Sequence, residues 1–474
     1  ANAMGPSVID PRSGEIIEAD IIWWHNVMSI LQAWIRLQTG AVDPQARGNE
    51  LPTELMGNAV RFVSSHELGH SLGLKHNFGA SYSVPVDSLR SKTYTASHGT
   101  ASSIMDYARF NYVAQPGDQG VRLTPPDVGV YDEYAIAWLY RFVPDAEAEK
   151  SVLDAWIARY AGDPMYRYAE LQEAAYNRFD PSAAEEDLGD DAIRAGEYGI
   201  RNLKYIMDNL PSWIGPENDP DGAYRKSVET KLLKQYQLYL ETVWSNVGGI
   251  YVYNRGESPD GARYKCVPRE VQKRSVEWVF RQLLDCEQFQ NPAVYEKFTI
   301  NVPSPLKAQN LIQSNMGLSF QMVSYSNVLS DDPYTMEELF DDIYENAWKN
   351  SIENRKLTAA DKLLQRNLLK SSDMRVAGVG GTRMLSSDNG LGDFPGAVGG
   401  VAPDAGAPLR SYVQAIIPSA TQRLYATADE HTLAMLRKLQ ALLQKRVADA
   451  ADPADVPFYR AQLFSVNKLL KPKK

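Results

Sequence analysis

The sequence predicts an α+β amino-terminal part that carries a metal site, followed by a mostly α-helical carboxy-terminal region. Three observations predict it. An isoleucine-rich extended run fills residues 15–23, a helical segment from residue 58 leads into a motif with three histidines at 66–76, and from residue 131 apolar residues recur mainly at helical spacing. With 474 residues, 44% of them hydrophobic, the chain can bury two or three cores. A net charge of −10 argues against a nucleic-acid partner, which would want a basic face. No uninterrupted apolar run approaches transmembrane length.

Ala1-Asn2-Ala3-Met4 reads as an expression-tag remnant, and the abrupt start at Gly5-Pro6-Ser7 suggests a piece of a longer protein. Asp10-Pro11-Arg12-Ser13-Gly14 is turn chemistry, and Glu15 to Trp23 follows as a strand. That strand either pairs with extended substrate by strand addition or is a plain sheet strand. Val27 to Leu37 has helical spacing of apolar residues and is stopped by Gly40 and Pro44.

Residues 66–76 read His66-Glu67-Leu68-Gly69-His70-Ser71-Leu72-Gly73-Leu74-Lys75-His76. On a helix led in by Asn58 to Ser65, His66 and His70 project from one face about one turn apart, close enough to ligate one zinc ion. Gly73 tolerates positive φ and can turn the chain so that His76 approaches the same metal. Three imidazoles leave one metal position for water. Glu67, displaced about 100° around the helix, can face that water as a general base. A helix whose histidines merely pack or cap would explain a lone H-x-x-x-H, but not five specified positions in eleven residues.

H-E-x-x-H-x-x-G-x-x-H resembles the zinc motif of the metzincin clan of peptidases. Ser103-Ile104-Met105-Asp106-Tyr107, with Met105 placed 29 residues after His76, resembles the clan's Met-turn. The resemblance implies that Met105 lies under the ligands as a polarisable floor, and that Tyr107 stands near the metal as an oxyanion donor. The flanks Leu74-Lys75-His76-Asn77-Phe78 and Asp10 to Ile17 resemble a family of large secreted bacterial zinc-dependent metalloproteases with uncharacterised flanking domains, and that likeness reaches to about Asn209. It implies a zincin-like catalytic part over 5–130, a Zn2+ cofactor, a protein or peptide substrate, upstream domains of the same longer chain, and a secreted, periplasmic or cell-surface location. Only about fifty residues precede the zinc helix, fewer than metzincins usually place there, so part of the upper subdomain is expected to be missing.

Residues 77–102 have loop composition, and His98 within them reads as a solvated loop histidine. Residues 131–375 read as mostly helical: an aromatic stripe at 131–140, an amphipathic pattern at 223–247, further helices at 269–286, 335–349 and 358–370, and a β-hairpin near 249–267. The acidic run Glu185 to Asp191 reads as the cap of a helix. Cys266 and Cys286 are a disulfide or two buried thiols, and neither lies near the zinc motif. Residues 376–408 are Gly-rich and expected to be a mobile loop, and 409–474 end the chain in helices.

The leading expectation is therefore a zinc endopeptidase. A zinc amidase or esterase on a non-protein substrate is a second, and a surface-binding protein that keeps the metal without turnover is a third. The carboxylate at Glu67 speaks against the last, and the helical remainder, some three quarters of the chain, speaks for it.

Overall fold

In the computed structural model, residues 3–169, 180–253, 261–294, 304–376 and 420–471 are described, those at 146–147, 311–318, 371–376 and 420–429 by backbone alone. Apart from residue 376, the Gly-rich stretch at 376–408 lies outside the described residues.

Two short ribbons open the chain. β1 (Ala3–Met4) pairs antiparallel with β4 (Ile22–Trp23), and β2 (Ser7–Ile9) with β3 (Ile16–Ala19). Asp10 closes the second ribbon by accepting from the Gly14 amide at 2.8 Å. The one strand expected over residues 15–23 is two, because Asp20 turns back to donate to the Pro6 carbonyl at 2.9 Å. Ala3 and Met4, read from sequence as a tag remnant, thus take part in the first ribbon, and Ala3 packs on the apolar cluster beneath it.

Next comes α1 (Val27–Thr39), which buries Val27, Leu31 and Ile35 at helical spacing and stops where Gly40 donates to Arg36 at 2.9 Å. α2 (Thr53–Ser71) begins earlier than Asn58, with Pro52 just before it and Glu54 in its first turn, where a carboxylate favours the helix dipole. Ala59, Phe62 and Val63 of α2 join Leu31 and Ile35 of α1, together with Met105 and Phe110, in one apolar cluster. The loop expected at 77–102 contains α3 (Lys92–His98), capped by Ser91, whose hydroxyl accepts from the Tyr94 amide at 3.3 Å.

Among the described residues, most of the remainder is helical: α4 (Val130–Tyr140), α5 (Ala146–Tyr160), α6 (Ala192–Trp213), α7 (Ala223–Trp244), α8 (Arg269–Asp285), α9 (Asn310–Leu329), α10 (Met336–Ala347), α11 (Lys349–Ile352), α12 (Ala359–Val376), α13 (Ala420–Asp449) and α14 (Val456–Leu469). The expected hairpin is present, β5 (Ile250–Val252) against β6 (Tyr264–Cys266). Leu232, Tyr236, Tyr239, Leu240 and Val243 of α7 sit at the centre of a second core that runs from Leu37 to Val466. Cys266 and Cys286 are both free thiols. Among the described residues, no helix is long and apolar enough to cross a membrane.

Candidate metal centre

α2 sets His66 and His70 one turn apart, with ring centroids 4.9 Å from each other. The helix then stops in a Schellman motif: Leu74 donates to the Gly69 carbonyl at 3.0 Å and Gly73 to that of His70 at 2.9 Å. The turn needs Gly73, whose φ is +88°. It reverses the chain and brings His76 Nε2 to 3.2 Å from His70 Nε2.

The donor set fits a metal. His66 Nδ1 donates to the Ile104 carbonyl at 2.8 Å and His70 Nδ1 to that of Leu74 at 2.9 Å. A carbonyl cannot donate, so each Nδ1 carries the proton and each Nε2 keeps its lone pair. His66 Nε2 is buried without a hydrogen-bond partner, and the ligand atoms of His66, His70 and His76 all lie within 4.8 Å of one another. Burial favours neutral rings: it holds the His66 imidazole well below its usual range, with His76 and His70 acting the same way. It also holds His70 down, and together with His70 and Arg109 it puts His76 at about 3. Neutral imidazoles converging on one point, one of them orphaned, form the ligand chemistry of zinc.

Met105 is fully buried, its sulfur so close to α2 that a Cβ on Gly69 would collide with it. The Met-turn is held from α4. Asp132 accepts from the Ser103 hydroxyl at 2.5 Å, the Ile104 amide at 2.7 Å and the Gly129 amide at 2.8 Å, while the Ser103 hydroxyl accepts from the Met105 amide at 3.0 Å. Since the Ile104 carbonyl also accepts the hydrogen bond from His66 Nδ1, Asp132 fixes the orientation of that imidazole through the turn. From the other side Asn77 donates to the Met105 carbonyl at 3.1 Å, and its amide side chain binds the Arg167 carbonyl and the Ala169 amide.

Tyr107 packs its ring 4.8 Å from His76 and 5.3 Å from His66, with Phe78 at 5.2 Å. On it rests the Arg109 guanidinium, 4.3 Å from the Tyr107 ring centre and 4.0 Å from that of Trp34. Arg109 pairs with Glu186 at 3.4 Å. Both residues have left-handed backbones, at φ 57° and 60°, uncommon for residues other than glycine. Glu67 is only 7% exposed, because Gly5 passes over α2: a Cβ there would stand 2.7 Å from the Glu67 carbonyl and 3.4 Å from its carboxylate. Burial pushes the Glu67 carboxyl up to about 7, against the pull of Arg109.

The sequence-read residues His66, His70, His76, Met105 and Tyr107 therefore stand together, with Glu67 on the same helix. His98 is elsewhere, stacked on Tyr94 and bonded to Ser97. A family model described as Met-zincin matches residues 48–355. The chain belongs to the Met-zincin family. No curated protein and no solved structure matches it. Membership implies zinc-dependent peptidase chemistry, and the matched span holds the whole histidine triad, the Met-turn and the helices from α2 to α11. Sequence reading of this Met-zincin missed Gly69, Asp132, Arg109 and Glu186. Asp132 left one signal, an acid inside an aromatic stripe otherwise read as core.

Proposed function

We propose that this Met-zincin is a zinc-dependent endopeptidase in which Glu67 is the general base and Tyr107 donates to the oxyanion. The observation that carries the reading is the convergence of three imidazoles around the partnerless Nε2 of His66. His66, His70 and His76 would hold a zinc ion, which would supply a Lewis acid for a substrate carbonyl and for water. Glu67, a carboxyl titrating near 7, accepts the proton of the attacking water and returns it to the amide nitrogen as the C–N bond breaks. The Tyr107 phenol, its ring clamped between His76 and Arg109, donates to the oxygen that gains charge. The products are a carboxylic acid and an amine, with no covalent enzyme intermediate. The substrate is a protein or peptide, and the resemblance to secreted bacterial metalloproteases supports a place outside the cytoplasm.

The test is metal analysis joined to a peptide-library digest. Glu67→Gln is expected to keep one zinc per chain and lose cleavage by about 10²–10⁴-fold, whereas His66→Ala or His70→Ala loses the zinc itself. Undiminished cleavage in Glu67→Gln removes it from the mechanism. Turnover of small esters or amides with no peptide cut overturns the endopeptidase reading and leaves the metal site standing.

A further inference from the structure

A second charged site lies away from the histidines, in the groove where α1 packs on α7. Each helix lines it with a stripe at helical spacing: Ser29, Gln32 and Arg36 from α1, Tyr224, Ser227 and Lys231 from α7. The groove encloses about 110 Å³, room for more than one water-sized group.

The Arg36 side chain is the anomaly. This residue is 1% exposed, yet among the described residues no carboxylate pairs with it. Two of its nitrogens donate to neutral acceptors, the Tyr224 hydroxyl and the Gly48 carbonyl, and its Nε is buried with no partner. Asp219, the acid that precedes α7, is committed to Arg225 at 3.0 Å and to the amides of Tyr224 and Arg225. A buried cation without a counter-ion costs several kcal/mol, which is why buried charges are otherwise paired. Lys231, half-buried on the facing stripe, adds a second cation and has no ion pair among the described residues. Burial and the neighbouring Arg36 and Lys234 hold its ammonium below the usual range. Two like charges facing one cavity repel each other, and the hydroxyls of Ser29, Ser227 and Tyr224 at its wall offer donors and no negative charge.

We propose that this groove binds a small tetrahedral oxyanion, phosphate or sulfate, between Arg36 and Lys231. The planar guanidinium matches such an oxygen set, the ammonium adds a point charge, and the hydroxyls supply further donors. The bound anion ties α1, which packs on the zinc helix, to α7 of the large core.

Calorimetric titration of the metal-loaded full chain with sodium sulfate, inorganic phosphate and phenyl phosphate tests this, against sodium chloride at matched ionic strength. Sulfate and phosphate are expected to give saturable one-site heats that chloride does not. If phenyl phosphate binds as well, the groove takes a phosphoryl or sulfo group carried on a larger molecule; if only the inorganic ions bind, it takes the free anion. Arg36 is fully buried and its loss endangers folding, so the deciding variant is Lys231→Met, checked for unchanged circular dichroism. It is expected to weaken binding at least about tenfold, which corresponds to 1.4 kcal/mol. Absence of saturable heat in the parent chain, or equal affinity in Lys231→Met, as an anion on the zinc would give, overturns the site.

Discussion

Met105 and Gly69 meet so closely that no side chain fits at Gly69 unless Met105 moves. Gly69→Ala puts a methyl group where the Met105 sulfur sits, so it is expected to cost about 1–3 kcal/mol of stability and to loosen zinc. Urea unfolding and zinc titration of the variant check both, and unchanged values for each would mean that Met105 is not the floor of the site. Tyr107→Phe is expected to lower kcat by about 10–1,000-fold with zinc content and KM nearly unchanged; an unchanged kcat would assign the phenol to packing. Asp106, between these two, is fully buried and accepts from the Ser81 amide at 2.7 Å. Burial pushes its carboxyl up to about 7, while the bonds to Ser81 and the charge of Arg109 pull it down; Asp187 faces it across the Ser81 hydroxyl. A folded value above the unfolded one, about 3.9, means that the folded state binds the proton more tightly. Its contribution is fully present below about 3.9 and lost as pH rises towards 7. Asp106→Asn is expected to flatten that slope in chelator-treated protein, read as the difference from wild type because the histidines titrate alike in both.

At the scale of elements, α4 acts as a clamp and not only as packing. Asp132→Ala strips the acceptor from Ser103, Ile104 and Gly129 together. It is expected to cost about 1–3 kcal/mol and about 10–100-fold in zinc affinity, and a zinc titration matching wild type would sever α4 from the ligand His66. How much of this was legible follows from how local each cause is. The two helical histidines, the glycine stop after them and the return to His76 lie within eleven residues, so spacing alone specified them. The long helices were legible for the same reason, a repeat of 3.6 residues. α3 was not, because serine and threonine hid a short helix whose one signal is the Ser91 cap. The strand expected at 15–23 split because Pro6, nine residues before its start, supplies a carbonyl to Asp20. The acidic run was read as a helix cap, which Asp191 is, but Asp187, Asp190 and Glu186 bind Ser81, Val86 and Arg109, partners no local pattern announces.

For the whole molecule, the core that includes Leu37, Ala80 and Tyr112 also includes residues of α6 to α10 and α12 to α14. Chelator-treated protein is therefore expected to lose near-UV dichroism at the site and helical signal in one transition; two resolved transitions would show that the zinc-bearing part stands alone. The reach of the contacts around the triad has a temporal side. His66, His70 and His76 leave the ribosome about a hundred residues before Arg167, which anchors Asn77, and Glu186, which anchors Arg109. Arg36 waits longer still for Tyr224. During synthesis the metal ligands therefore exist for several seconds, at about 5–20 residues per second, before the groups that hold them in place. Zinc capture is therefore expected late in the life of the nascent chain: stalled chains ending near residue 150 should exchange zinc freely, whereas chains ending past the last core helix should retain it.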